Sequence, residues 1–310
     1  MNDLHSWVHD YLEYCRFQKN LDDKTLKAYR IDLEQFLQIV LPFSADPTGR
    51  SSVTRYITEI HKLYKPKSIK RKIASVKAFF HYLEYEELLE ANPFSRINIK
   101  FREPQVLPKI IPFHMIQTFL SAMYRQKELS LDAPDRCRSR EILRDIAVIE
   151  LLFATGVRIS ELCCLKPEHI DLKSQTLLIY GKGDKERMIQ IANPSVIRAL
   201  TDYQAAYAED IAVCGYFFVN RLKHRLSEQS VRFMINKYAA KASIPLHITP
   251  HMFRHSFATF LLEEDVDIRY IQKMLGHSSI TTTEIYTYVS TAKQKDILTC
   301  KHPRNRIQLP

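Results

Sequence analysis

Thr249 to Tyr288 concentrates side chains suited to handling a phosphate group. His251 and Arg254 stand three residues apart. They therefore share one face in the opening turns of a helix with Thr249 as its cap and Pro250 at its first position. Phe253, Phe257, Phe260 and Leu261 fall on a separate apolar stripe that must face a core. A second helix, Asp267 to Leu275, buries Ile268, Ile271 and Leu275 and stops at Gly276, which leaves His277 on a turn just past a helix end. Thr281 with Glu284 forms a capping box that opens a third short helix carrying Tyr286. Upstream, Arg158 follows Gly156, and Lys182 sits in a Gly181-Lys182-Gly183-Asp184 turn. Guanidiniums bind phosphate oxygens through charge-assisted, often bidentate bonds, imidazole and ammonium groups move protons, and a phenol can form an ester.

Each fragment also has a plainer reading. A lone His-x-x-Arg is ordinary surface, and Gly181-Lys182-Gly183 lacks the spacing of a P-loop. His251 and His255, four residues apart, could hold zinc, but the metalloprotease pattern needs Glu after the first histidine and Met252 stands there. Tyr288 competes with Tyr286. Two residues apart on a helix, the pair face nearly opposite sides, so one alone reaches a given phosphate. Cys163-Cys164 reads as core packing.

The elements that must position these groups are mostly helical. Leu4–Gln18, Lys24–Val40 (capped by Asp22 or Asp23), Ser52–Leu63 and Pro66–Leu89 are amphipathic at helical period. Pro93, Pro104, Pro108 and Pro112 then mark an extended linker. Phe113–Met123 and Arg140–Thr155 are predicted helices, with polar Gln126–Ser139, which contains Pro134, as a loop between them. Gln175–Tyr180 and Glu186–Ile191 alternate around the Gly-Lys-Gly-Asp turn and predict a β-hairpin. Pro194–Ala208 and Leu226–Ala242, the latter capped by Ser227 or Ser230, complete the helices. Four of the six glycines (Gly156, Gly181, Gly183 and Gly276) lie within two residues of Arg158, Lys182 or His277. Glycine is thus placed where the backbone turns beside these side chains.

Length and charge fit this layout. A chain of 310 residues is long enough for two domains, and 45% apolar content supports packed cores. Lys plus Arg number 45 against 35 Asp plus Glu, a net charge of +10 that favours a polyanion partner. Lys67, Lys70, Arg71, Lys72 and Lys77, with Lys62 and Lys65 on the approach, form a basic cluster expected to meet phosphates. The six cysteines form neither a Cys-x-x-Cys pair nor a disulfide framework, and no apolar run suits a membrane span or signal peptide. A reduced cytoplasmic protein is expected. No Asp/Glu cluster suggests two-metal chemistry, so neither metal nor other cofactor is expected.

The ordered set Ala154-Thr155-Gly156-Val157-Arg158-Ile159-Ser160-Glu161-Leu162, Gly181-Lys182-Gly183-Asp184-Lys185-Glu186-Arg187, His251-x-x-Arg254, Leu275-Gly276-His277 and Tyr286 resembles the tyrosine recombinases, the phage-integrase type of site-specific DNA recombinase. Within them it is most similar to the Xer-like group, which His302-Pro303-Arg304 and Leu143-Arg144-Asp145 also suggest. The resemblance covers nearly the whole chain. It implies a mainly α fold with a small β-hairpin or sheet, an N-terminal four-helix core-binding domain (1–92), a linker (93–111), a mixed α/β catalytic domain (112–290) and a tail (291–310). The segment Ala292 to Leu298 is expected to dock in a neighbouring protomer. The implied catalytic residues are Arg158, Lys182, His251, Arg254, His277 and Tyr286, with family spacing selecting Tyr286 over Tyr288. Arg158 and Arg254 are expected on the non-bridging oxygens, Lys182 as acid to the 5′ leaving oxygen, His251 as a proton carrier and His277 as a phosphate donor. Glu161 is expected to orient this cluster. The implied reaction cleaves and rejoins strands of a double-stranded DNA recombination site through a 3′-phosphotyrosyl intermediate and a Holliday junction, with four protomers on two sites; the resemblance also allows a related second recombinase or an accessory protein as partner. A type IB topoisomerase-like nicking-closing enzyme and a catalytically silent DNA-binding regulator are the alternatives.

Overall fold

The computed structural model describes residues 2–43, 46–97, 108–131, 136–181 and 186–276. The chain divides into two compact units, Met1–Gln105 and Val106–Pro310.

The first unit holds four helices, α1 (Asn2–Phe17), α2 (Asp23–Val40), α3 (Arg50–Leu63) and α4 (Pro66–Tyr85). Asp22 caps α2 by accepting from the Thr25 backbone N–H at 2.9 Å, and Pro66 opens α4 at a position where its missing N–H costs nothing. The apolar stripes close on a core that includes Phe36, Tyr56, Phe79, Phe80 and Leu83. Phe36 meets Tyr56 and Phe80 edge-on, with ring centroids 5.1 and 5.6 Å apart. Of the expected 93–111 linker, Pro93–Arg96 form a 3₁₀ turn whose Phe94 is buried in this core, whereas Ile111 is buried in the core of the second unit.

In the second unit, α5 (Phe113–Leu131), α6 (Arg136–Thr155), the short α7 (Ile159–Cys163), α8 (Pro194–Cys214), α9 (Glu228–Lys241), α10 (Pro250–Glu263) and α11 (Ile268–Leu275) accompany a three-stranded antiparallel sheet. Its strands are β1 (Ile170–Asp171), β2 (Thr176–Tyr180) and β3 (Glu186–Gln190), in that order. The register sets Leu177 opposite Ile189 and Ile179 opposite Arg187. The central helix α6 packs against α5, α8 and α10, as its apolar residues require; Ala147, Val148, Ile149 and Leu151 are fully buried.

The expected loop Gln126–Ser139 is largely helix: α5 continues to Leu131 and α6 begins at Arg136. Gln126, Lys127, Glu128 and Leu129 are good helix formers, and tertiary bonds hold the segment. Tyr124 donates to Glu150 Oε1 at 2.7 Å, Lys127 pairs with Asp202 at 2.7 Å, and Ser139 Oγ donates to Ser130 O at 3.0 Å. The edge strand β1 and helix α7 lack a periodic signature because each is so short. Among the described residues, no helix is long and apolar enough to cross a membrane.

Candidate active site

Gly156 ends α6 at φ +60°, and a Cβ there would lie 2.6 Å from Phe257 Cδ1 and 2.9 Å from Leu275 Cδ2. Glycine answers both the left-handed turn and the close approach of α10 and α11. The turn delivers Arg158 to the N-cap of α7 in extended conformation, its side chain 37% exposed. An arginine cannot accept a hydrogen bond, so Glu161 does the capping: Oε2 accepts from the Arg158 backbone N–H and Oε1 from Arg158 Nη1, both at 2.8 Å.

Thr249 accepts from the Met252 backbone N–H, and Pro250 opens α10. His251 is exposed on its first turn. Arg254, one turn on, is only 4% exposed. Its Nη1 donates to Gly156 O and its Nη2 to Leu275 O, each at 2.7 Å. The same guanidinium therefore grips the turn two residues before Arg158 and the helix end two residues before His277. Bonds from a charged donor are each worth about 1.5–3 kcal/mol, enough to lock this side chain and its planar fork. Arg158, His251 and Arg254 thus share one frame built from α7, α10 and the end of α11. Lys182, His277 and Tyr286 lie outside the described residues, as do Tyr288, the helix predicted from Thr281 and the segment Ala292 to Leu298.

Two further groups belong to the frame. Arg187 on β3 donates Nη1 and Nη2 to Glu161 Oε1 and Oε2 at 3.1 and 2.7 Å, and Nε to Met274 O at 2.8 Å. Burial alone would raise the Glu161 carboxyl, but the bonds from Arg187 and Arg158 outweigh it and hold its pKa below the ordinary value. Glu161 therefore stays a carboxylate. His255, one turn along α10 from His251, has its pKa lowered to about 4, chiefly by burial and also by His251 and Arg254. It is neutral at pH 7. The two rings are 6.5 Å apart, and among the described residues no third His, Cys, Asp or Glu completes a metal-binding group with them.

The basic cluster of the first unit needs one correction. Lys67, Lys70, Arg71 and Lys77 are exposed along one face of α4, but Lys72 is 3% exposed. It projects about 140° from Lys67 around the helix, beside Ile69, Ile73 and Val76. Its ammonium pairs with the fully buried Asp32 at 3.0 Å and donates to Gln35. Arg71 also pairs with Asp32, and Ser75 Oγ donates to that carboxylate at 2.9 Å. Lys72 is thus a buried partner to a buried charge and not a surface contact. Of the adjacent cysteines, Cys163 is core, its thiol pushed up to about 12 by burial, whereas Cys164 is exposed with Arg225 Nη1 3.4 Å from its sulfur.

The fold and this frame match one class of proteins. Residues 114–293 match the model of the phage integrase family, and residues 8–87 match the phage integrase N-terminal SAM-like domain. The chain belongs to the phage integrase family, the tyrosine recombinases, enzymes that break and rejoin DNA strands. It is 54% identical over 304 residues to a tyrosine recombinase of Agathobacter rectalis, covering 98% of each chain. It is 33% identical over 307 residues to the tyrosine recombinase XerC of Bacillus pumilus, covering 96% of each. Its fold is similar to that of the XerH site-specific recombinase bound to a palindromic difH substrate in a post-cleavage complex. The TM-score is 0.74 at 19% identity, over 94% of this chain and 83% of that one.

Proposed function

We propose that this chain is a cytoplasmic site-specific recombinase that attacks a DNA phosphodiester with Tyr286, conserving the bond energy in a 3′-phosphotyrosyl ester until a 5′-hydroxyl reverses it. Arg158 and Arg254 neutralise the non-bridging oxygens as negative charge builds in the transition state. Lys182 protonates the departing 5′ oxygen, His251 carries the phenolic proton and the proton of the returning hydroxyl, and His277 donates to a phosphate oxygen. Four protomers hold two sites and exchange strands through a Holliday junction, with the C-terminal segment linking neighbours. The observation that carries the reading is Arg254, whose buried guanidinium bonds Gly156 O and Leu275 O and so sets the approach to Arg158 and to His277 in one frame.

The experiment is adduct trapping. A pool of nicked duplexes of randomised sequence is incubated with the protein in EDTA, and DNA that stays attached in detergent is sequenced. One recurring site is expected, with adduct formation unaffected by the chelator. Absence of any adduct overturns the reading, and adducts without sequence preference would make the chain a nicking-closing enzyme instead.

DNA contact by the first unit is tested separately. Lys67→Ala/Lys70→Ala/Lys77→Ala is expected to weaken matched and unmatched duplex alike. Its log Kd against log salt slope should be shallower by about 2–3, at roughly 0.9 per lost phosphate contact. Lys72→Ala should instead lower the melting temperature and leave the slope alone, because it removes the buried one of the two cations paired with Asp32. An unchanged slope in the triple variant would make the lysines a solvated face only.

A further inference from the structure

Arg187 lies on β3, opposite Ile179, shortly after the Gly181-Lys182-Gly183-Asp184 sequence. Strand pairing at that position asks only for a side chain of suitable bulk, yet this one is a guanidinium with its side chain 11% exposed. Its fork closes on both oxygens of Glu161, whose side chain is 6% exposed. Its Nε takes the Met274 carbonyl in the last turn of α11, where a cation also suits the helix dipole. Gly276, the left-handed terminator of α11 at φ +65°, passes so near that a Cβ there would lie 2.9 Å from Arg187 Nη1. The carboxylate that Arg187 holds is the one that holds Arg158 through two 2.8 Å bonds. One side chain therefore joins the strand that follows Lys182 in sequence, the support of Arg158 and the helix end that precedes His277. A lysine could not replace it, since a single ammonium lacks the planar fork needed to span a carboxylate and a separate carbonyl.

We infer that Arg187 is a positioning residue for strand cleavage: it fixes Glu161 so that Arg158 is aimed at the scissile phosphate, and it fixes the end of α11 ahead of His277. The inference rests on the proposed recombinase function. Arg187 itself is committed to Glu161 and Met274 and acts through the groups it holds. Its loss removes the anchor of Glu161 on β3 and leaves the carboxylate held by the bonds from Arg158 itself, so Arg158 pairs with a less firmly fixed partner.

The test compares the full-length wild type with Arg187→Ala and Arg187→Lys in single-turnover adduct formation on the recovered nicked site. Two versions of that site are used: one with an ordinary scissile phosphate, the other with one non-bridging oxygen replaced by methyl. The methylphosphonate is uncharged, so its transition state asks less of Arg158. Arg187→Ala should bind the site within about threefold of wild type and cleave the phosphate about 10²-fold more slowly, the scale of losing one oriented donor. On the methylphosphonate the gap to wild type should shrink at least tenfold. Arg187→Lys should show a smaller defect with the same shrinkage, and it carries the comparison if the alanine variant does not fold. Equal slowing on both substrates, or wild-type rates on both, overturns the positioning role while leaving the recombinase reading intact. A wild type that forms no adduct overturns that reading itself, and the inference falls with it.

Discussion

Tyr286→Phe is expected to bind the recovered site as tightly as wild type and to form no covalent adduct. The substitution removes one oxygen and leaves the ring, so packing and DNA affinity should hardly change. Chemistry changes completely, because that oxygen is the atom that bonds to phosphorus. A phenol suits the task for a reason an aliphatic alcohol does not share: its pKa near 10 makes phenolate a competent leaving group, so the ester can be undone by a DNA hydroxyl without an outside energy source. Losing the nucleophile should lower adduct formation by at least about 10⁴-fold, comparable to other nucleophile deletions. Tyr288→Phe is the control. If the two tyrosines share a helix, they project about 200° apart, so Tyr288 cannot substitute from its own position. An adduct retained by Tyr286→Phe, or lost only in Tyr288→Phe, moves the nucleophile to Tyr288 and sinks the assignment.

Local signals in the sequence located much of the frame. Thr249-Pro250 and Gly276 mark helix ends correctly, and of Asp22 and Asp23, both offered as the cap of α2, it is Asp22, because capping chemistry acts within four residues and leaves a compositional trace. The placement of Arg158 past a left-handed Gly156 was legible for the same reason. What escaped was long-range. Arg187 reads as one more charge on an alternating strand, and its partners Glu161 and Met274 lie 26 and 87 residues away. Lys72 sits among solvent-facing cations of the same type, and Asp32, which draws it inward, lies 40 residues earlier. Its phase with Ile69, Ile73 and Val76 was the available hint. In the Gln126–Ser139 stretch the continuation of α5 rests likewise on distant partners, Glu150 of α6 and Asp202 of α8.

Lys182→Ala is expected to bind DNA normally and cleave it about 10²–10⁴-fold more slowly, the usual worth of a general acid. The reason lies with the leaving group. A 5′ alkoxide is a poor one, with a conjugate acid near the pKa of water, about 15.7, so it must be protonated as the bond breaks. Replacing that bridging oxygen by sulfur changes the requirement, since a thiolate whose acid has a pKa near 8.5 departs unassisted. The 5′-bridging phosphorothiolate should therefore restore Lys182→Ala to within about tenfold of wild type on the same substrate. Arg158→Ala offers the contrast: its defect lies on the non-bridging oxygens, which sulfur at the bridge leaves untouched, so no rescue is expected. Lys185, three residues on, is the competing acid, and β3 begins at Glu186 immediately after it. If sulfur rescues Lys185→Ala and not Lys182→Ala, the acid is Lys185. If it rescues neither, the leaving oxygen takes its proton from elsewhere, and Gly181 and Gly183 flank Lys182 for a reason other than letting it reach the phosphate.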